Sequence, residues 1–341
     1  MLLKCEKIMK IILIMLKFKQ GGNMPSIVTH HYFAKDVLNK LPNNKKINQK
    51  IFFIFVQSFD NLFYYKFFTP WQGKKIRKLG NLAQKKNINL YFQNILDYIT
   101  DNHLENNQDL ISYLYGSICH YVLDRFCHPF IIYNTGFPEI NIKYRGLHEK
   151  MEVNIDAYIY QKKTNRSLKK DKLANILLPK EKFSQDLKNI INYAYFHTFN
   201  IENMANIYQK SLKTGNFILK YFVTDTTGIK KNIYKLKDLI MFKSKRRYEY
   251  LSFNVSKIDK NYLNLNHNPW YYPTKPSLAK TDSFDELYEK ALIETINIIK
   301  NINYYFEKKI NKQQILKIIG NYSYVTGLNE NLPIKSIKFK F

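Results

Sequence analysis

Six side chains that commonly bind metals recur at intervals of four residues in two neighbouring stretches of the chain. HYVLDRFCHPF carries His120, Asp124 and His128, and HEKMEVNID carries His148, Glu152 and Asp156. Positions four apart share one face of an α-helix, so each stretch lines up its imidazoles and carboxylates in a single direction. One His or Asp alone is most often a satisfied core or surface residue. Two such rows only a loop apart predict a shared metal site, and they commit both segments to being helices that face each other.

Imidazole and carboxylate without thiolate suit zinc or another borderline divalent ion, and the mixed set is typical of hydrolytic rather than structural zinc. Ligands four residues apart lie about 6 Å apart along a helix axis, so one row can serve two neighbouring ions. Paired divalent ions clamp the attacking and leaving oxygens of a phosphodiester during displacement. The rows therefore favour hydrolysis of a phosphate ester over an oxidative role.

The remaining pattern is all-α and predicts a compact multi-helix bundle. Ser26 is expected to cap a helix through THHYFAKDVLNKL, closed by Pro42, with Val28, His31, Val37 and Leu38 on its apolar face. The aromatic run IFFIFVQSFDNLFYYKFF reads as one buried helical stretch from near Lys46 to Pro70. Helices are expected over 88–100 and 108–128, the second ending where Pro129 disfavours helical geometry at His128. A loop with Gly136, Pro138 and Gly146 leads to a helix from about Leu147 to Lys163. Residues 164–180 read as a polar, Lys-rich surface excursion, with helical patterns over 183–222 and 230–242 separated by the turn TDTTG. From KSKRRYEY to Pro276 the chain is an irregular, aromatic-rich connection. Ser283 then caps a helix from Phe284 to about Lys309, and a short helix over 312–319 precedes a polar tail. Nothing alternates as a strand.

A length of 341 residues accommodates one large domain or two ordinary ones. The formal charge of +27 suggests a polyanionic partner, but 48 Lys against 6 Arg amid abundant Asn, Ile and Tyr is the mark of an AT-rich genome. Codon bias accounts for much of the excess. What remains is a pull toward phosphates, nucleic acid or an anionic membrane surface. Cys5, Cys119 and Cys127 are odd in number and lack metal-type spacing, so no disulfide is implied and a reducing, cytoplasmic compartment fits. The apolar run IILIML is too short to span a bilayer and lacks a cleavage site. Gln20-Gly21-Gly22-Asn23 can be encoded as a ribosome-binding sequence ahead of Met24. We therefore read Met24 as the start, 1–23 as an extension outside the fold, 24–310 as the helical domain, and 311–341 as a terminal helix and tail.

Taken together, several blocks resemble the bacterial branch of the zinc-dependent phospholipase C family. They are MPSIVTHHYFAKDVL from Met24, VQSFDNLFYY around Asp60, YLYGSICHYVLDRFCHPFI, HEKMEVNIDAYI and NLNHNPWYYP, in matching order over about residues 24 to 300. The resemblance implies a helical bundle around three zinc ions, a fold shared with zinc nucleases that cut single strands. It implies His120 and Asp124 as ligands of a first zinc, with Asp60 nearby as ligand and candidate general base. His128, His148 and Glu152 match the second zinc's set, and His30 matches a ligand of the third, with Asp124 bridging. His31 stands where relatives have a non-ligand aromatic.

This chain departs from that pattern at two places. The block LGNLAQ has Gln84 where relatives have a His, and an amide oxygen is a poorer zinc ligand, so the first site is expected to bind weakly or hold a different ion. Secreted relatives also use a mature amino terminus at the third site, a ligand that a Met start does not supply. Asp156 reads either as a hydrogen-bond partner of a ligating His or as a plain helix-surface carboxylate. His267 is expected to stack or cap within its loop, and His103 and His197 to be ordinary residues.

The expected activity is zinc-dependent hydrolysis of a phospholipid or other phosphodiester, with one to three zinc ions as cofactor. Two alternatives stand beside it. Gln84 speaks for a catalytically decayed, metal-binding scaffold; the basic surface and many Tyr and Phe speak for a single-strand nuclease on the same fold.

Overall fold

The computed structural model describes residues 26–41, 47–137, 142–240, 248–331 and 339–340. The expectations for 1–23, Met24, Pro42, Lys46, Pro138 and the basic run 243–247 lie outside those residues. The chain folds as helices α1 (Ile27–Lys40), α2 (Gln49–Phe55), α3 (Lys74–Ala83), α4 (Ile88–Asp101), α5 (Gln108–Thr135) and α6 (Ile142–Thr164). Then follow α7 (Ala174–Leu177), α8 (Gln185–Phe199), α9 (Met204–Ile218), α10 (Ile229–Ile240), α11 (Phe284–Phe306) and α12 (Lys312–Ile319). A 3₁₀ helix over Ser58–Tyr64 joins α2 to the turn before α3. Among the described residues no helix is long and apolar enough to cross a membrane.

Helix α5 is the axis of the bundle. Its buried residues run around the whole helix, from Leu110 and Tyr113 through Ile118 and Val122 to Ile131, which is the signature of a helix enclosed by others. It packs on α11, α2, α6 and α1. At Gly116 the backbone of α2 comes in close: a Cβ there would stand 2.7 Å from the Phe52 carbonyl oxygen. That approach, one turn before His120, brings the end of α2 onto the metal-binding face.

The expectation that α5 stops at His128 is corrected, since it continues through Pro129 to Thr135. Proline removes one helical hydrogen bond and crowds the carbonyl four residues earlier. Here that carbonyl belongs to Arg125 and is covered by Gly327, whose φ is +65° and where a Cβ would lie 2.4 Å from the oxygen. Burial on both sides of Pro129 holds the helix together where local preference would end it.

The aromatic run is likewise not one helix. It breaks after Phe55, where Gln57 Nε2 donates to Ile27 O (3.1 Å) and Asn61 Nδ2 donates to Ile54 O (3.2 Å), and the tighter 3₁₀ turn follows. Gly146 lies inside α6 rather than in a loop before it. The excursion over 164–180 is not wholly polar, because Leu168, Leu173, Leu177 and Leu178 are buried. Two short antiparallel strands, β1 (Trp270–Tyr272) and β2 (Lys275–Lys280), form a hairpin that the sequence did not announce. Ser283 does cap α11, in a reciprocal box with Glu286, a device worth about 1 kcal/mol. Cys119 and Cys127 are buried free thiols that pack as small apolar groups.

Candidate metal centre

Helix α5 presents His120, Asp124 and His128 on successive turns of one face. Helix α6 sets His148 and Glu152 opposite its end, α1 brings His30, and the 3₁₀ turn brings Asp60. These seven residues assemble into two donor sets, His30/Asp60/His120/Asp124 and His128/His148/Glu152, each with one ligand atom per residue within 4.8 Å of the others. The sets adjoin at Asp124, whose Oδ2 lies 3.6 Å from His120 Nε2 and 3.6 Å from His128 Nδ1. His30 Nε2 meets the other oxygen of Asp124 at 3.1 Å. Glu152 Oε1 lies 3.2 Å from His148 Nε2 and 3.8 Å from His128 Nε2.

The outer nitrogens fix how the rings point. His120 Nδ1 donates to Val56 O (3.1 Å) and His128 Nδ1 to Tyr324 O (3.0 Å); a carbonyl only accepts, so in each neutral ring the lone pair sits on Nε2. Thr135 gives its hydroxyl proton to Ile131 O and so accepts from His148 Nδ1 (3.3 Å). Nε2 is thereby the nitrogen that each of the three rings turns toward the carboxylates. His120 Nε2, His30 Nδ1 and Asp124 Oδ2 are buried with no hydrogen-bond partner. Orphaned buried donors and acceptors are costly, and a divalent cation satisfies this kind of set directly.

Electrostatics point the same way. Burial, then the neighbouring Asp124, pushes the Asp60 carboxyl up to about 8. Asp124 resists burial because His128, His120 and His30 surround it, and it stays well below the usual carboxylate range. Burial pulls His120 down to about 3, whereas at His128 Asp124 and Glu152 outweigh burial and lift it to about 10. His148 and His128 likewise overcome burial at Glu152 and hold it to about 2. Without an ion, the crowded carboxylates keep a proton on His128; positive charge is what the cavity demands.

Gln84 sits where the resemblance places a missing histidine, and it does reach the site. Its amide Nε2 donates to Asp60 Oδ1, so it orients that carboxylate rather than offering an imidazole. Its backbone carbonyl accepts from Tyr324 N (2.9 Å) and Ser323 Oγ (3.3 Å).

The reading of Asp156 needs correction. It is neither a partner of a ligating histidine nor a surface group. It is buried, and its carboxylate accepts from Ser26 Oγ (2.8 Å), Val28 N (3.2 Å), Thr29 N (2.8 Å) and Thr29 Oγ1 (2.6 Å). Asp156 thus caps α1 from another helix, the favourable place for negative charge, and Ser26 serves Asp156 instead of capping its own helix. The cap anchors the backbone one residue before His30.

Two contributors escaped sequence reasoning. Behind Asp60 lies a layer of buried tyrosines, with Tyr91 and Tyr113 hydroxyls 2.6 Å apart and Tyr208 held by Asn61 and by Ser58 O. The turn after α12 closes the other side. There Tyr324 packs its ring on His120 (5.4 Å between centroids) and Tyr121 (5.1 Å) while its carbonyl holds His128. Nothing in the local pattern of the tail marks it as part of a metal site. His31 is buried and stacked on Phe53, apart from both donor sets, and His267 pairs with Glu286 (3.2 Å) on the surface.

A family model for zinc-dependent phospholipase C matches residues 29–214, more than half of the chain and the span holding all seven donors. No curated protein and no solved structure matches. The match, the helical fold and the two buried donor sets agree on zinc as the cofactor and on a zinc hydrolase in general. This chain belongs to the zinc-dependent phospholipase C family.

Proposed function

We propose that this protein hydrolyses phosphodiesters of the phospholipid type, cleaving the headgroup phosphate from its glycerol backbone. The observation that carries the reading is the junction of two donor sets at Asp124, three to four ångströms from histidines of both. Zinc held there would polarise the phosphate and lower the pKa of an attacking water. His128 and His148 keep 16% and 12% of their side-chain surface exposed, against 0% for His120, so the substrate phosphate approaches over the second set. With zinc bound to keep it ionised, Asp60, buried and held by Gln84, would orient a water and take its proton. Asp124 and Glu152 balance the charge of the ions and fix the imidazoles facing them.

The experiment is zinc analysis of protein purified without added metal, followed by turnover of phosphatidylcholine and of a soluble phosphocholine ester. Two or three zinc ions per chain with turnover of either compound is the expected result. Zinc-loaded protein that turns over neither would instead support a metal-stabilised scaffold, the reading that Gln84 favours by giving Asp60 an amide donor where an imidazole ligand is expected.

A further inference from the structure

Helix α10 buries one face and leaves another bare. Tyr234, Lys237 and Asp238 are buried; Tyr234 donates to Phe222 O (3.1 Å), and Asp238 accepts from the N–H groups of Tyr248 (2.7 Å) and Glu249 (3.0 Å). On the opposite side stand Ile229, Leu236, Leu239 and Ile240, between 55% and 71% exposed. At a helical turn of about 100° per residue these four fall within roughly a third of the circumference. Single exposed aliphatics are ordinary, but four on one helical face mark a surface that something covers.

A separate group of exposed aromatics is reached through the buried side of the helix. Phe222, which receives the Tyr234 hydroxyl, packs on Phe68 (5.8 Å) and Phe217 (6.0 Å), both partly exposed, and Trp71 follows Phe68 in the next turn at 74% exposed. The exposed charge on the helix is positive. Lys235 stands free to solvent, Lys230 and Lys231 are half-buried and reach back to the Thr224 and Asn254 carbonyls, and the helix's single acid, Asp238, is committed inward. Lys220 and Lys213 lie exposed beside Phe217.

This combination selects the occupant. A second copy would set one lysine-rich surface against another, and a nucleic acid would leave the isoleucines and leucines in water. An anionic bilayer accepts both, with lysines among its headgroups, aromatic rings at headgroup level and aliphatic side chains at the acyl boundary. We propose that the exposed face of α10 is the element on which this protein lies against an anionic phospholipid surface. The inference rests on the phospholipid reading above and supplies its partner, and it is tested by binding alone.

The test is co-sedimentation of the full chain with vesicles of phosphatidylcholine, with and without phosphatidylglycerol. Wild type should bind the anionic vesicles and bind them more weakly in high salt. The double variant Leu236→Glu/Leu239→Glu alters two exposed side chains, so zinc content and helicity should not change. Its vesicle affinity should fall at least about tenfold, and Lys235→Glu should weaken binding by roughly fivefold. Wild type that stays in the supernatant, or a double variant that binds like wild type, overturns the proposal. Light scattering that shows a wild-type dimer split by the double variant also overturns it, assigning the face to a second copy. Turnover of a soluble phosphocholine ester without vesicle binding sinks this inference alone, whereas vesicle binding without any hydrolysis sinks the catalytic reading alone.

Discussion

His128, His148 and Glu152 come from the facing ends of two helices adjacent in sequence, and two of the three keep some contact with solvent. His30, Asp60, His120 and Asp124 are drawn from three segments far apart in the chain, and all four are buried. The first set needs only helical periodicity and one loop to assemble. The second needs α1 capped by Asp156, a broken helix at Gln57, close packing at Gly116 and the seal of Tyr324. A local set is robust and accessible; a tertiary set is exact only while its distant supports hold.

Glu152→Ala removes the carboxylate of the local set. Turnover should drop by about two to three orders of magnitude, the scale of losing one pre-placed electrostatic group, and zinc analysis should show about one ion fewer per chain. Turnover at wild-type level would dissolve the distinction between the sets.

Asp156→Ala tests the tertiary set from a distance. It strips the Val28 and Thr29 N–H groups of their acceptor, at about 1–3 kcal/mol in denaturant unfolding. Because His30 follows Thr29, zinc affinity should fall at the buried set and hold at the exposed one. Equal weakening of both would argue that they form a single indivisible site.

Gln84→His works in the opposite direction. An imidazole facing Asp60 should tighten zinc binding at the buried set by at least about tenfold in competition with a chelator. No gain would mean that the amide is already the group the site uses. Ser323→Ala should have the smallest effect on the metal: Val325 N and Thr326 N lose an acceptor, but Tyr324 N still holds the Gln84 backbone carbonyl. About 1 kcal/mol, or a few degrees in thermal unfolding, is expected with zinc content unchanged.

Much of the site was legible because its spacing is helical. His120, Asp124, His128, His148 and Glu152 follow from a four-residue interval, and the resemblance added His30, Asp60 and the position of Gln84. Asp156 continues the same interval yet belongs to a different task, since a helix long enough to carry three turns of acceptors reaches past the metal cavity to the end of α1. Helix limits were less legible. Pro129 ends helices in isolation, but the bonds and packing around it here outweigh the loss of one hydrogen bond. The β-hairpin escaped notice because its strands are short and lack sustained alternation.

The chain by itself settled that α5 and α6 are helices carrying donors on one side, since periodicity of 3.6 residues per turn is a local property. It also narrowed the ion to zinc or another borderline divalent cation, because imidazole and carboxylate donors are written in the residues. Only the folded molecule decided which nitrogen of each ring faces the cavity, for that depends on carbonyls at Val56 and Tyr324, one far upstream and one far downstream. Local order fixes which groups are available. The tertiary structure fixes their direction, because a hydrogen bond between distant segments exists only after the bundle has closed.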